Sequence, residues 1–526
     1  MKKQPPSIFN DVIGPVMRGP SSSHTAASVR IGKLVRQFFT AEIKSFKVEF
    51  DPEGSLASTY STQGSDIGLA GGLLDMDTDD PGLAGSLEAA KKRDINISFK
   101  IVDYQASHPN TYRIQAKGES GEENHFIFVS TGGGMFELQK INGLPVSICG
   151  DFYESLLFFK NTEQALLDQY CKKIEMLIND HDYCLIAAGG NASLINLKTG
   201  YPISDLQLRL AEIGVKLERV VQLEPVLPIR SSRNCQVPYT CAIDILQEAE
   251  TDRGQLWEMA LKYEAARGNI SESKVFDMSK SLTAIMKASI KEGLAGSDYS
   301  DRILGPQAHK IASYSGNLSG GERDKKVIAY ITAIMETKSA MGVIVAAPTA
   351  GSCGCLPGTL FAVAEELQFN DEAVSKALLA AGLVGVLVAW RSTFAAEECG
   401  CQAECGVGSG MAAAGLVQML GGTVKQTLDA SAMALQNVIG MVCDPVGGRV
   451  EVPCLGKNIM SGFNAIAAAN MVLAGYENVI PLDETIGAMH QAGTMIPPEL
   501  RCTGKAGLST TATAQKIEGI LKQKKL

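Results

Sequence analysis

GCQAEC (residues 400–405) and CDPVGGRVEVPC (443–454) bracket an apolar helical segment. They offer soft ligands at Cys401, Cys443 and Cys454, with Cys399 and Cys405 alongside. The spacings of 42 and 11 residues match neither the close cysteine pairs of a zinc ribbon or finger nor the compact C-x2-C run of a bacterial ferredoxin. Three separated loop cysteines can instead hold three irons of a 4Fe-4S cluster and leave the fourth iron open as a Lewis acid. The competing reading is inert packing, because free cysteine is among the most buried residue types. Turn residues argue against it: Cys401 follows Gly400, Cys443 precedes Asp444-Pro445, and Cys454 follows Pro453.

Outward from this stretch the pattern sets the fold class. From about residue 239 onward the chain is nearly all helical in period, with amphipathic stretches over 243–266, 280–292 and 324–338 and then helices rich in Ala, Gly and Met. Residues 239–526 therefore read as a mostly α-helical C-terminal catalytic domain carrying the cysteines. Residues 1–150 read as an α+β N-terminal domain, with strands at 45–50, 97–104 and 126–130 and a helix over 24–39. Residues 151–238 read as a small α/β middle or linker domain, containing the strand YESLLFFK and a helix around 163–178, with PIRSSRN (228–234) as a boundary.

Composition narrows the function class. The chain has 526 residues, 45% hydrophobic and 20% charged, enough for two or three domains with ordinary cores. A net charge of −9 without a basic, aromatic-interleaved stripe argues against nucleic acid as a partner. MKKQPPSIFNDVIGP lacks the apolar core of a secretory signal. The longest apolar run, 377–390, is 14 residues, too short to span a bilayer. Thirteen cysteines without a secretion signal point to a reducing, cytoplasmic setting and a small-molecule reaction.

GPSSSHT (19–25) breaks the chain and starts a helix. Ser21, Ser22 and Ser23 fall at the helix start, where free N–H groups bind anions such as a carboxylate, and a cap alone would need one serine. His24 follows as a general base or carboxylate-orienting group. Of the Gly-rich loops, 349–351 in APTAGSCGCLPG can hold a carboxylate on its N–H groups, making Thr349 and Gly351 substrate contacts. TGGG (131–134) reads equally as close backbone packing, and no loop fits a nucleotide fingerprint.

GCQAE, CDPV followed by VEVPC, APTAGS and GPSSSHT together resemble the signatures of the iron-sulfur-dependent L-serine dehydratases, in that family's order and across most of the chain. The resemblance implies a 4Fe-4S cluster on Cys401, Cys443 and Cys454, conversion of serine to pyruvate and ammonia without pyridoxal phosphate, a homodimer, and a role in amino-acid catabolism. It further implies substrate contacts at Ser21, Ser22, Ser23, Thr25 and Asp66, with Asp66 on the ammonium group. GSLASTYSTQGSD (54–66) and HPNTYRI from His108 match the family's first domain, and the strand INGLPVS (141–147) precedes an ACT-like module in relatives.

Two positions depart from the family. Gln63 stands where many relatives have histidine, and Cys502 where they have glutamate. Either His24 or His108 is then the base, or the substrate is another β-hydroxy or β-substituted amino acid such as threonine. A redox-sensing iron-sulfur protein is the alternative of another class. Cys353 and Cys355 read as buried small residues, His490 and Lys505 as pocket or ordinary surface groups, and the ending KQKKL brings no tail thiolate toward the open iron.

Overall fold

The computed structural model describes residues 4–252 and 254–524, so the first three residues of the N-terminal reading and the last two of KQKKL lie outside the described residues. In chain order the strands are β1 Val16–Met17, β2 Ile43–Phe50, β3 Asn96–Ile101, β4 Thr111–Gly118, β5 Glu123–Gly132, β6 Met135–Ile141, β7 Leu144–Ile148, β8 Tyr153–Lys160, β9 Tyr183–Gly189, β10 Ala192–Thr199, β11 Arg219–Leu223 and β12 Ile344–Val345. They form a six-stranded sheet (β3-β2-β4-β5-β6-β7), a four-stranded sheet (β11-β8-β10-β9) and the short pair β1-β12.

In β2 the residues Phe46, Val48 and Phe50 alternate inward, as the two-residue strand period requires, and bury against the helices Ala27–Arg36 and Ser65–Leu73. β2 and β3 pair in parallel, and the rest of this sheet is antiparallel. The strand expected over 97–104 stops at Ile101 because Asp51 captures the next backbone: its Oδ2 accepts from the N–H groups of Tyr104 (3.1 Å) and Ala106 (3.0 Å). The helix expected from His24 begins with a wide π-type turn, Ser22–Ala26, before the α-helix Ala27–Arg36. Such turns recur at functional sites.

The second sheet has the chain order strand β8, helix Gln164–Leu177, strands β9 and β10, helix Leu206–Glu212, strand β11, with every neighbouring pair antiparallel. This βαββαβ order is ferredoxin-like. Its own core, built on Leu157, Ile174, Ile195 and Leu210, is separate from that of the first sheet.

Helices occupy the rest. The amphipathic stretch at 243–266 is two helices, Ala242–Asp252 and Leu256–Gly268, because Gly254 and a Gln255/Glu258 capping box start the second one afresh. At the centre, every residue of the helix Cys405–Met419 is buried. Its glycines and alanines let Asp371–Arg391, Val424–Gln436 and Cys454–Leu473 close in around it. Asp371–Arg391 has the length and apolarity of a membrane span, but 78% of its apolar window is buried in the protein, which makes it a core helix.

The first residues cross between the halves. Ile8, Phe9, Val12 and Ile13 bury in the helical core, and β1 pairs with β12. The carboxylate of Glu264 accepts from Ser7 Oγ and from the Ile8 N–H (2.7 Å). Near its N-terminus the sheet half is thus strapped to the helical half.

Candidate functional site

Cys401 sits in the turn Cys401–Ala403, approached through Gly400 at φ 71°. A side chain at Gly400 would meet the Met441 carbonyl at 2.7 Å, so glycine lets this turn press against the 441–443 loop. The buried Gln402 carboxamide accepts from Gly440 N–H and donates to the Met489 carbonyl, both at 2.6 Å. Cys443 donates its N–H to the Leu500 carbonyl (2.8 Å) and accepts from the N–H of Cys502 (2.8 Å), which lays Cys502 beside it. Cys454 is the first residue of Cys454–Leu473. Between Cys443 and Cys454, Gly447 and Gly448 are both left-handed, and a side chain on Gly448 would strike Thr62 Oγ1 at 2.7 Å. The cysteine loop therefore rests on the sheet half.

Five buried thiols gather here. Cys401, Cys405, Cys443 and Cys502 pack in one buried cluster, and Cys454 lines the adjoining cavity with Cys443 and Cys502. The neighbouring Cys405 thiol, with Lys457 assisting, pulls Cys401 down to about 7 against the effect of burial. The thiol of Cys443 is pushed well up by Cys502 beside it and by burial, and burial likewise raises Cys454. Lys457 binds the Val442 carbonyl (2.7 Å) and Asp444 (3.0 Å). Burial works against its charge, but the Cys401 and Cys443 thiols and Asp444 outweigh it and raise the ammonium.

A narrow cavity adjoins the thiols, lined by Cys443, Cys454 and Cys502 from the helical half and by Ser21, Ser23 and Gln63 from the sheet half, with Gly351, Glu397 and Glu404 between. His24 lies behind the serines, fully buried. Thr59 Oγ1 gives its proton to the Ser55 carbonyl (2.7 Å) and so accepts from His24 Nε2 (2.8 Å). That assigns the proton to Nε2 and leaves the Nδ1 lone pair to accept from Ser21 Oγ (3.1 Å), while Ser23 Oγ, 3.0 Å from Nδ1, gives its one proton to Glu397 Oε1 (3.3 Å). Burial lowers the imidazole to about 3, so it is neutral.

The other expected residues are placed unequally. Ser22 Oγ accepts from the Ala350 N–H (3.2 Å), and Thr25 donates to the Gln63 carbonyl (2.8 Å). Thr349 donates to Glu404 at 2.7 Å, over Gly351. Asp66 accepts from the Ile67 N–H (2.8 Å), and neither it nor His108 lines the cavity. His108 Nδ1 accepts from Asn110 N–H (3.1 Å), which turns Nε2 toward Glu398 (3.1 Å). Cys353 and Cys355 are buried in the helical core, Lys505 makes a surface ion pair with Glu53, and His490 lies beside Cys399 and Ser392.

Sequence reasoning did not single out Glu397, Glu404, Asn458 or Lys338. Burial raises both carboxyls, Glu404 to about 8 with the Cys401 thiol adding to the effect. Asn458 bonds the Gly351 and Cys454 carbonyls (2.8 Å each) and accepts from Gly354 and Cys355 N–H, clamping the 349–355 loop to the cysteine helix. Lys338, fully buried, donates to the Val450 carbonyl. The available signal was a charged residue inside small-residue runs, as with Glu404 between Ala403 and Cys405. The two departures also meet: Gln63 Nε2 lies 3.5 Å from Cys502 Sγ, so an amide–thiol pair occupies the place of an imidazole and a carboxylate.

Residues 251–509 match the family described as serine dehydratase alpha chain. The probable L-serine dehydratase alpha chain of Bacillus subtilis is 42% identical over 250 residues, 47% of this chain and 83% of that protein. The L-serine dehydratase alpha chain of Peptoniphilus asaccharolyticus is 37% identical over 279 residues, 52% of this chain and 94% of that protein. This chain belongs to the serine dehydratase family. It is an enzyme of the lyase class, and its single-chain form has a counterpart in the L-serine dehydratase of Haemophilus influenzae, 27% identical over 516 residues, 93% of this chain and 96% of that protein.

The donor set fits a multi-iron cluster better than one ion. A tetrahedral zinc with Zn–S near 2.3 Å needs its sulfurs about 3.8 Å apart. Among the described residues, the three donors within 4.8 Å of one another lie elsewhere, at Cys171, Glu175 and Cys184. Cys401, Cys443 and Cys454 are not in that group, and thiols from three separate segments suit a centre of several metal ions better than one.

Proposed function

We propose that the protein is an L-serine ammonia-lyase, converting L-serine to pyruvate and ammonia, with a 4Fe-4S cluster on Cys401, Cys443 and Cys454 and without pyridoxal phosphate. The observation that carries this reading is that Cys443 and Cys454 line one cavity with Ser21 and Ser23, while Cys401 packs with Cys443 in one buried cluster. When bound, the cluster supplies Lewis acidity toward substrate oxygens through its iron without a protein thiolate.

The chain's own groups do the rest. Ser23 Oγ and the Gly351 backbone hold the carboxylate, with Ser23 turning its one proton from Glu397 to the substrate, and neutral His24 orients the Ser21 hydroxyl beside them through Nδ1. Glu397 shares Oε1 with Ser23 Oγ (3.3 Å) and has a raised affinity for protons, which suits it to take the α-proton, while His108 supports the neighbouring Glu398. Glu404, protonated near neutrality, gives its proton to the departing β-hydroxyl, which leaves as water. The resulting enamine tautomerises and takes up water, yielding the keto acid and ammonia. Thr349 and Thr25 act as struts for Glu404 and Gln63, and Asp66, outside the cavity lining, has an ammonium-side role only through the family resemblance.

The βαββαβ module supports an ACT-like regulatory role, and thirteen free cysteines support a reducing, cytoplasmic setting. The homodimer belongs to the same reading through the family resemblance. The Gln63–Cys502 pair favours one second reading, a β-hydroxy amino acid other than serine. The test is keto-acid and ammonia release from a panel of amino acids, using enzyme purified without oxygen. Serine turnover with iron and sulfide present, and loss of both turnover and bound iron in Cys443→Ala, is the expected result. A fully active Cys443→Ala protein without iron would overturn the ligand assignment, and a preference for threonine would shift the substrate.

A further inference from the structure

The ferredoxin-like module carries a second gathering of metal-type donors, far in sequence from the cavity. Cys171 and Glu175 stand four residues apart on the helix Gln164–Leu177 and so share one face. Cys184, the second residue of β9, comes up opposite them. Cys171 Sγ, a Glu175 carboxylate oxygen and Cys184 Sγ all lie within 4.8 Å of one another. His181 stands beside this trio. Its Nδ1 is 2.7 Å from the Ile178 carbonyl, which can only accept, so the proton sits on Nδ1 and the free lone pair on Nε2 is 3.8 Å from Glu175 Oε1.

Burial is graded across the group. Cys171 is 8% exposed, and the side chains of His181 and Glu175 are 12% and 43% exposed. The sulfurs thus lie inward and the carboxylate faces an entry path. A plain pair of packed thiols would need neither the carboxylate nor the oriented imidazole. We propose that Cys171, Glu175 and Cys184 form a site for a borderline-soft divalent cation of the zinc class, with His181 positioning Glu175. The donors Cys171, Glu175 and Cys184 leave the fourth position of a tetrahedral ion open, and His181, outside that 4.8 Å group, stands behind Glu175 at 3.8 Å. The ion ties the end of the helix and the 178–182 turn to β9, the edge strand of the module that packs on β7 of the first sheet.

The test uses the full chain, purified without oxygen with thiols kept reduced. Zinc and iron are measured by mass spectrometry, and zinc affinity by competition with a chromophoric chelator. About one zinc per chain is expected, absent from Cys171→Ser/Cys184→Ser while the iron content stays unchanged. His181→Ala, which leaves both thiols and the packed helix intact, weakens zinc by about 10-fold or more. Cobalt(II) added in place of zinc should give a thiolate charge-transfer difference spectrum that the double variant lacks. Equal zinc in wild type and both variants, or no uptake by the reduced wild type, would overturn the proposal. So would a Cys171–Cys184 disulfide that binds no metal after reduction.

Discussion

Replacing His24 by glutamine tests whether the site's histidine is held neutral. Burial places its folded-state pKa at about 3, against 6.5 in the open chain. The unfolded chain therefore takes a proton below pH 6.5 that the folded chain refuses until about pH 3. Stability from this group is complete above pH 6.5 and is lost as the pH falls toward 3. At about 1.36 kcal/mol per pH unit, the loss is about 2 kcal/mol at pH 5 and levels near 5 kcal/mol below pH 3. Glutamine does not titrate, so it loses the imidazole's hydrogen bonds at every pH but escapes this slope. The stability advantage of wild type over His24→Gln should shrink by about 2 kcal/mol between pH 7 and pH 5.

The groups facing the ring decide whether that slope is seen. Ser21, Ser23 and Thr59 are uncharged, and the one acid is Glu397, 3.8 Å from Nδ1, whose carboxyl burial raises. Repeating the comparison in a Glu397→Gln background removes that carboxylate as a variable. Hydrogen exchange of residues 22–36, corrected for intrinsic rates, reads the segment itself and avoids treating a chain with several cores as two-state. Parallel pH profiles for wild type and His24→Gln in both backgrounds would refute the neutral, desolvated imidazole.

Glu264 should show the opposite sign: burial lifts its carboxyl to about 7 from 4.5, so it favours the fold below pH 4.5, and that contribution is lost as the pH rises through 7. Relative to Glu264→Gln, wild type should lose about 3 kcal/mol over that window, read from denaturant midpoints. Gly448→Ala forces a side chain into φ 67° and to 2.7 Å from Thr62 Oγ1. It should cost about 1–3 kcal/mol of stability, whereas Gly456→Ala, with nothing within 4 Å, should not destabilise.

What the sequence made legible were features written in neighbouring residues. The loop cysteines, the serine run before His24 and the 349–351 loop were visible because turn residues and unusual side chains stand next to each other in the chain. The helix break after Asp252 is one step harder: Gly254 with Gln255 and Glu258 marks a new helix start, but an unbroken apolar period over 243–266 conceals it. Long-range partners were not legible. Strand β3 ends where Asp51, 53 residues before Tyr104, takes the following backbone. Gln63 and Cys502 read as unrelated oddities until the fold sets them 3.5 Å apart. Glu397 and Glu404 looked like ordinary acids because burial, the property that makes them useful, is settled by the helices packed around them.

Joining the two halves in one chain follows from how the cavity is built. The alpha-chain relatives match about half of this chain, the helical half that holds Cys401, Cys443 and Cys454. Here Ser21, Ser23 and Gln63 come from the other half, so the cavity exists only when the two are in register. Among the contacts that fix register are β1 on β12, Ser22 on the Ala350 N–H, and Thr62 under Gly448. A covalent link raises the effective concentration of one half for the other and removes the entropy of bimolecular docking. The contacts near the cavity are then free to be polar and few, and the apolar burial that holds the halves together is carried by Ile8, Phe9, Val12 and Ile13, away from the reacting groups.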